Sequence, residues 1–155
     1  MRKLFLSTIA LLLLLLISCG KEKTSNEAAD KAETKTEQPA ETSDPMKDKG
    51  IGPVTSITLP DEIDQAMVTK GSEIFAQKCS ACHKPDKRFV GPAPKGILER
   101  RTPEWIMNMI LNPEEMVQKN EAAKALLAEY LSPMANQNLT EEEARAVLEY
   151  FRTLN

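Results

Sequence analysis

Histidine, cysteine and large aromatic rings are scarce in this chain, and that scarcity narrows its chemistry. It has one histidine, one tryptophan and three cysteines in 155 residues, and aromatics make up only 5%. A single histidine excludes any site that needs two imidazoles from the same chain. No Ser/His/Asp set and no glycine-rich phosphate loop can be assembled from the sequence. The net charge is −3, so there is no basic excess of the kind that holds nucleic acid, and no nucleic-acid partner is expected. No stretch alternates apolar and polar residues as a half-buried strand does. With so few large rings the side-chain core is modest, and a buried apolar cofactor would supply much of the missing surface.

Against this sparse background one cluster stands out: Cys79-Ser80-Ala81-Cys82-His83. Cys-x-x-Cys-His is the sequence form of covalent c-type haem attachment. Two thiols three positions apart can each add to one vinyl group of the same porphyrin, and the next residue then sits under the iron as an imidazole ligand. Cys-x-x-Cys alone also reads as a thioredoxin-like redox pair or as half of a zinc site. Zinc is disfavoured because His83 is the only histidine and Cys19 the only other cysteine. The redox pair is disfavoured because no strand–helix–strand context surrounds it. The cysteine count closes if two go to haem c and the third to lipid.

The third is Cys19. Arg2 and Lys3 precede an apolar run, Leu4 to Ile17, which is too short to span a bilayer but fits the core of an export signal. Leu16-Ile17-Ser18-Cys19 resembles a bacterial lipobox, in which the cysteine takes a diacylglycerol thioether and becomes the first mature residue. Residues 1–18 are therefore expected to be a lipoprotein signal peptide. The resemblance places the mature chain at the cell envelope, lipid-anchored, with its globular part outside the cytoplasm on the periplasmic side. Covalent haem attachment of this type also takes place outside the bacterial cytoplasm, and the two motifs were found independently. Residues 19–59 are rich in Lys, Glu, Thr, Ser and Ala with scattered prolines, and are expected to form a disordered tether. Residues 60–155 are the expected globular domain.

Within 60–155 the pattern is helical throughout. A first helix is expected from about Asp64 to Lys78. Thr102-Pro103-Glu104 starts a second with a threonine cap, proline at the first position and an acid in the first turn. Asn112-Pro113-Glu114-Glu115 starts another in the same way, and Ala122 to Tyr130 continues helically. Residues 131–138 read as a loop. Thr140 and Glu143 form a capping box for a last helix with the apolar stripe Ala144, Val147, Leu148 and Phe151.

This all-α arrangement, with its haem motif behind the first helix, resembles the class I (monohaem) cytochromes c across residues 64–155. The resemblance implies a small fold of helices wrapped around one covalent haem. It pairs Gly71 and Phe75 with Val147, Tyr150 and Phe151, so that the first and last helices cross closely. It gives the Pro92 carbonyl to the second ring nitrogen of His83, although Gly91-Pro92 also reads as a plain chain turn. It makes Trp105, with Arg100 or Arg101, a donor to a haem propionate, although a lone tryptophan is as often core. Met134 takes the place of the distal iron ligand, 51 residues beyond His83 and shortly before the capped last helix. Many relatives have Met-Pro at that point, whereas this chain has Pro133-Met134-Ala135. Met109 and Met116 lie inside helices, where methionine is usually core.

His/Met ligation raises a haem's potential and leaves no open coordination site. The expected function is thus a membrane-anchored monohaem electron carrier, not an enzyme, exchanging electrons with redox partner proteins. Lys78, Lys84, Lys87, Arg88, Lys95, Arg100 and Arg101, against Asp86 and Glu99, would give it a basic rim towards acidic partners. The alternatives are a haem sensor or peroxidase-like enzyme with a displaceable sixth ligand, and a fixed haem subunit of a membrane oxidoreductase.

Overall fold

Helix boundaries fall where the capping residues put them. In the computed structural model, which describes residues 44–155, α1 spans Gln65–Ile74, and the Asp64 side chain accepts from the backbone N–H groups of Ala66 and Met67. α2 spans Pro103–Leu111 behind Thr102, whose hydroxyl accepts from Trp105 N. α3 spans Pro113–Lys119 and α4 Glu121–Tyr130, separated at Asn120, whose side chain caps α4. α5 spans Glu141–Arg152 behind the Thr140–Glu143 capping box. Among the described residues there is no strand, as the sequence implies, and no helix long and apolar enough to cross a membrane. The expected signal peptide, Cys19 and tether residues 19–43 lie outside the described residues.

α1 and α5 form the frame. A Cβ built on Gly71 would lie 1.9 Å from the Ala146 carbonyl oxygen, so the two backbones touch where only glycine leaves room. Beside that crossing Phe75 stacks on Tyr150 and Phe151, with ring centroids 5.5 and 5.9 Å away. The pairing expected from sequence is present, with Ala146 supplying the closest contact.

Glu149, 1% exposed, fastens the same two helices. It accepts from Asp64 N at the start of α1 (2.9 Å) and from Arg145 and Arg152 (2.5 and 2.7 Å). Arg152 also donates to the carbonyls of Pro60 and Asp61. Burial pushes the Glu149 carboxyl up, but these hydrogen bonds and the two guanidinium charges outweigh it and hold the group below the ordinary carboxylate range.

One boundary is corrected. The tether was expected to run to residue 59, but residues 44–59 are laid across α2 and α3 as a strap. Val54 is buried, and Ile51, Ile57 and Leu59 pack against the same core. The Asn108 side chain, on α2, accepts from Val54 N and donates to the carbonyls of Lys49 and Val54 (3.0, 2.9 and 2.8 Å). Thr102 Oγ1 donates to Asp48 O, and Glu104 accepts from Ile57 N and pairs with Lys49. Composition averaged over forty polar residues masks the four apolar ones at the end of that stretch.

Candidate functional site

The end of α1 tightens onto the motif. Phe75–Cys79 is a single π-helical turn, and Ser80 N closes onto Phe75 O at 2.9 Å. Such one-residue widenings recur at functional sites because they re-aim the side chains that follow. Here they bring Cys79 and Cys82 to the rim of one cavity, Cys79 half-buried and Cys82 exposed. Burial pushes the Cys79 thiol up, the charge of Lys78 opposes that, and Cys82 adds to it. A raised thiol is the reverse of what a thioredoxin-type nucleophile needs. Among the described residues no three His, Cys, Asp or Glu side chains converge as a metal-binding group.

His83 is fixed from two sides. Its Nδ1 lies 2.8 Å from Pro92 O, a carbonyl that can only accept, so Nδ1 is the donor there and Nε2 is the ring nitrogen turned away from it. Its ring lies flat against Gly91, where an added Cβ would approach Cε1 to 2.4 Å. Gly91 N in turn donates to Cys82 O, tying the turn back to the motif. The Pro92 carbonyl thus lies against the second ring nitrogen of His83, and Gly91, by having no side chain, makes that close approach possible.

The cavity in front of these residues has a volume of about 220 Å³. Its walls are apolar, drawn from Ile106 and Ile110 on α2, Val117 on α3, Leu126 and Leu127 on α4 and Val147 on α5. Of the methionines, Met109 and Met134 line it. Met116 does not: it is fully buried, and its sulfur accepts from Ile51 N of the strap. Met134 comes from the loop between α4 and α5 and is half-buried.

Trp105 departs from expectation. Its ring borders the cavity, but its one N–H donates to Asn120 Oδ1 at 3.1 Å inside the core. Asn120 also donates to both carboxylate oxygens of Asp48. The indole donor is therefore spent on holding α2, α4 and the strap together, and it is not free for a propionate. Arg101 lies 5.0 Å over the Trp105 ring, and Arg100 donates to the carbonyls of Ala93 and Lys95. With Asp86, Arg88 and Lys95 they border a second hollow that shares apolar wall, including Pro92, Ile97 and Tyr130, with the first.

The residues present fit a flat apolar macrocycle bound at its edge by two thioethers. The walls are largely hydrocarbon, Cys79, Cys82 and the His83 imidazole stand at the rim, and Arg88, Lys95, Arg100 and Arg101 border the adjoining hollow, where they could offset acidic substituents.

Comparisons with known proteins agree with this geometry. The family profile described as Cytochrome c matches residues 68–155. A solved cytochrome c from Rhodothermus marinus is 44% identical, with a TM-score of 0.65 over 66% of this chain and 89% of that one. An engineered form of the Rhodothermus marinus protein is 43% identical (TM-score 0.64, 66% and 90% covered). A second engineered structure, bound to a carbene intermediate, is 44% identical (TM-score 0.62, 66% and 89% covered). A search of curated proteins returned no match.

Proposed function

The chain belongs to the cytochrome c family and carries one covalent haem c, and from that premise we propose that it is a lipid-anchored monohaem electron carrier with His83 and Met134 as its two axial ligands. The observation that carries the ligand assignment is the 2.8 Å contact between His83 Nδ1 and Pro92 O. It assigns the proton to Nδ1, orients the ring, and reserves Nε2 for iron. When bound, haem c supplies a one-electron iron couple. Cys79 and Cys82 hold its edge, and the apolar walls exclude water around the iron. Met134 is preferred to Met109 because a loop can place its sulfur without breaking a helix, whereas Met109 is held in register on α2. Arg100 and Arg101, rather than Trp105, are the residues placed to offset propionate charge. His/Met ligation gives a raised potential and a closed coordination sphere, the properties of a carrier working with protein donors and acceptors. Cys19 is the proposed lipid attachment, with the domain outside the cytoplasm on the periplasmic side.

The protein matured in an exporting host should give a pyridine haemochrome spectrum that survives acid-acetone extraction. Its oxidised form should show the long-wavelength sulfur-to-iron charge-transfer band, which Met134→Leu abolishes. A colourless product, or a band that persists in the variant, would overturn the reading. A second reading, an enzyme or sensor with a displaceable sixth ligand, is favoured by the engineered relative that holds a carbene. A ferrous spectrum unchanged by carbon monoxide decides for the carrier.

A further inference from the structure

We propose that Asp48, on the strap, is a positioning residue for the cofactor site: it holds Trp105 in place as a wall of the haem cavity, and through that wall it sets the potential of the haem. This rests on the electron-carrier reading and names a residue that tunes the carrier without lining the cavity itself.

One strap residue reaches Trp105 by two routes. The Asp48 carbonyl accepts from Thr102 Oγ1 at 2.6 Å, and the same hydroxyl accepts from Trp105 N at 3.1 Å. The Asp48 carboxylate accepts from Asn120 Nδ2 with both oxygens, at 3.0 and 2.8 Å, and Asn120 Oδ1 accepts from Trp105 Nε1 at 3.1 Å. The backbone and indole N–H groups of Trp105 are therefore both held at one remove from Asp48. Gly50 N donates to Asp48 Oδ1 at 2.8 Å, and Gly50 lies against α2, where an added Cβ would come within 3.4 Å of Trp105 Cα. Thr102, Trp105 and Asn120 are buried, so water is no ready substitute for these partners.

The carboxylate fixes which way the Asn120 amide faces. An ionised carboxylate only accepts, and an indole or backbone N–H only donates. With Asp48 on one side and Trp105 Nε1 and Ala123 N on the other, a single orientation of the amide satisfies every partner. Loss of the carboxylate leaves a buried NH2 group without an acceptor, and the amide relaxes by turning towards water, away from the indole. Attachment of the strap does not need this bond. Asn108 grips Lys49 O and both backbone polar groups of Val54, and Met116 Sδ accepts from Ile51 N. The Asp48 carboxylate thus serves the partner of Trp105 and not the strap's own hold.

The effect reaches the cofactor because of where Trp105 stands. It borders both the haem cavity and the adjoining hollow with its charged rim of Arg88, Arg100 and Arg101. An indole held still there closes the apolar side against the charged one. Apolar surroundings that keep water out disfavour the more highly charged ferric state and raise the potential, whereas a loosened wall admits water and lowers it.

The test is a redox titration of the full-chain holoprotein and its Asp48→Asn and Asp48→Ala variants, read beside hydrogen exchange at the indole of Trp105, the chain's only tryptophan. The two variants carry the same charge, so comparing them removes the direct effect of the carboxylate on the iron. Asp48→Asn keeps an acceptor for Asn120 and should hold the indole N–H near the parent's rate. Asp48→Ala should speed indole exchange in the ferrous form about tenfold or more, the loss of one hydrogen bond to a charged group. It should also titrate at a lower midpoint than Asp48→Asn. Equal midpoints in the two variants, or an indole that Asp48→Ala leaves unaffected, overturn the proposal. The parent supplies a check that needs no variant: its indole should open to exchange together with the amides of Ile51 and Val54. An indole that stays protected while they open, or opens while they stay protected, overturns the proposal as well. A parent with no reversible one-electron couple removes the carrier reading and the proposal with it, whereas equal midpoints in variants of a parent that titrates strike the proposal alone.

Discussion

Two glycines, Gly91 at the site and Gly71 at the α1–α5 crossing, matter because of atoms that cannot be added to them. At Gly91 a methyl group would overlap the imidazole of His83, so Gly91→Ala must push the ring off the Pro92 carbonyl. The expected outcome is a fall in haem incorporation and, in the fraction that matures, a lower potential with a weakened sulfur-to-iron band. Redox titration with spectra checks it. At Gly71 the obstacle is backbone, the Ala146 carbonyl, which cannot rotate away as a side chain can. Gly71→Ala should cost about 2–3 kcal/mol, the upper part of the overpacking range, read as an earlier midpoint in guanidinium unfolding. The haem band position should change little, because Gly71 does not line the cavity. Gly71 was legible from its spacing to Phe75. Gly91 was legible only as a turn, since nothing local says that the His83 ring packs against it.

Elements divide into those that write their own ends and those that need a distant partner. The caps at Thr102 and Thr140, with Pro103 and Pro113 at first helical positions, act over three or four residues and were readable in the sequence. The strap was not. Val54 joins Asn108 across 54 positions, and the cue was weak: Ile51, Val54, Ile57 and Leu59 at the edge of a polar tract. Asn108 is 1% exposed and makes three hydrogen bonds to the strap backbone, so Asn108→Ala leaves buried amide and carbonyl groups without partners. A loss of about 2–4 kcal/mol is expected, and hydrogen exchange should speed up at residues 49–57 before it does in α5. Equal acceleration in both would mean that the strap is not a separate unit of stability. The break between α3 and α4 belongs to the same class, because Asn120 also takes the Trp105 N–H and the Asp48 carboxylate.

For the molecule as a whole, the frame is the α1–α5 pair, and its response to acid runs through Glu149. The folded carboxyl titrates below its unfolded value, so the stability it contributes is fully present above about pH 4.3 and is lost as pH falls through the folded value. Glu149→Gln should lower stability at pH 7 by about 3 kcal/mol, because Arg145 and Arg152 lose their buried partner. It should also flatten the decline as pH falls below about 4.3, since one group whose titration contributes to it is gone. Thermal melts across that range, on parent and variant, make the comparison. An unaltered acid slope would show that other carboxylates carry it.

The sequence by itself determined the cofactor chemistry and the class of fold. Five contiguous residues specify the covalent attachment, and local capping with 3.6-residue periodicity specifies helices without strands. Tertiary structure decided which groups finish the site: Pro92 and Gly91 around the imidazole, Met109 and Met134 rather than Met116 at the cavity, and Asn120 as the partner that removes Trp105 from propionate duty. The physical reason is range. Caps and motifs are held by bonds within a turn or two of chain, whereas Trp105–Asn120, Val54–Asn108 and Asp64–Glu149 close over 15, 54 and 85 positions, and no local pattern encodes the partner.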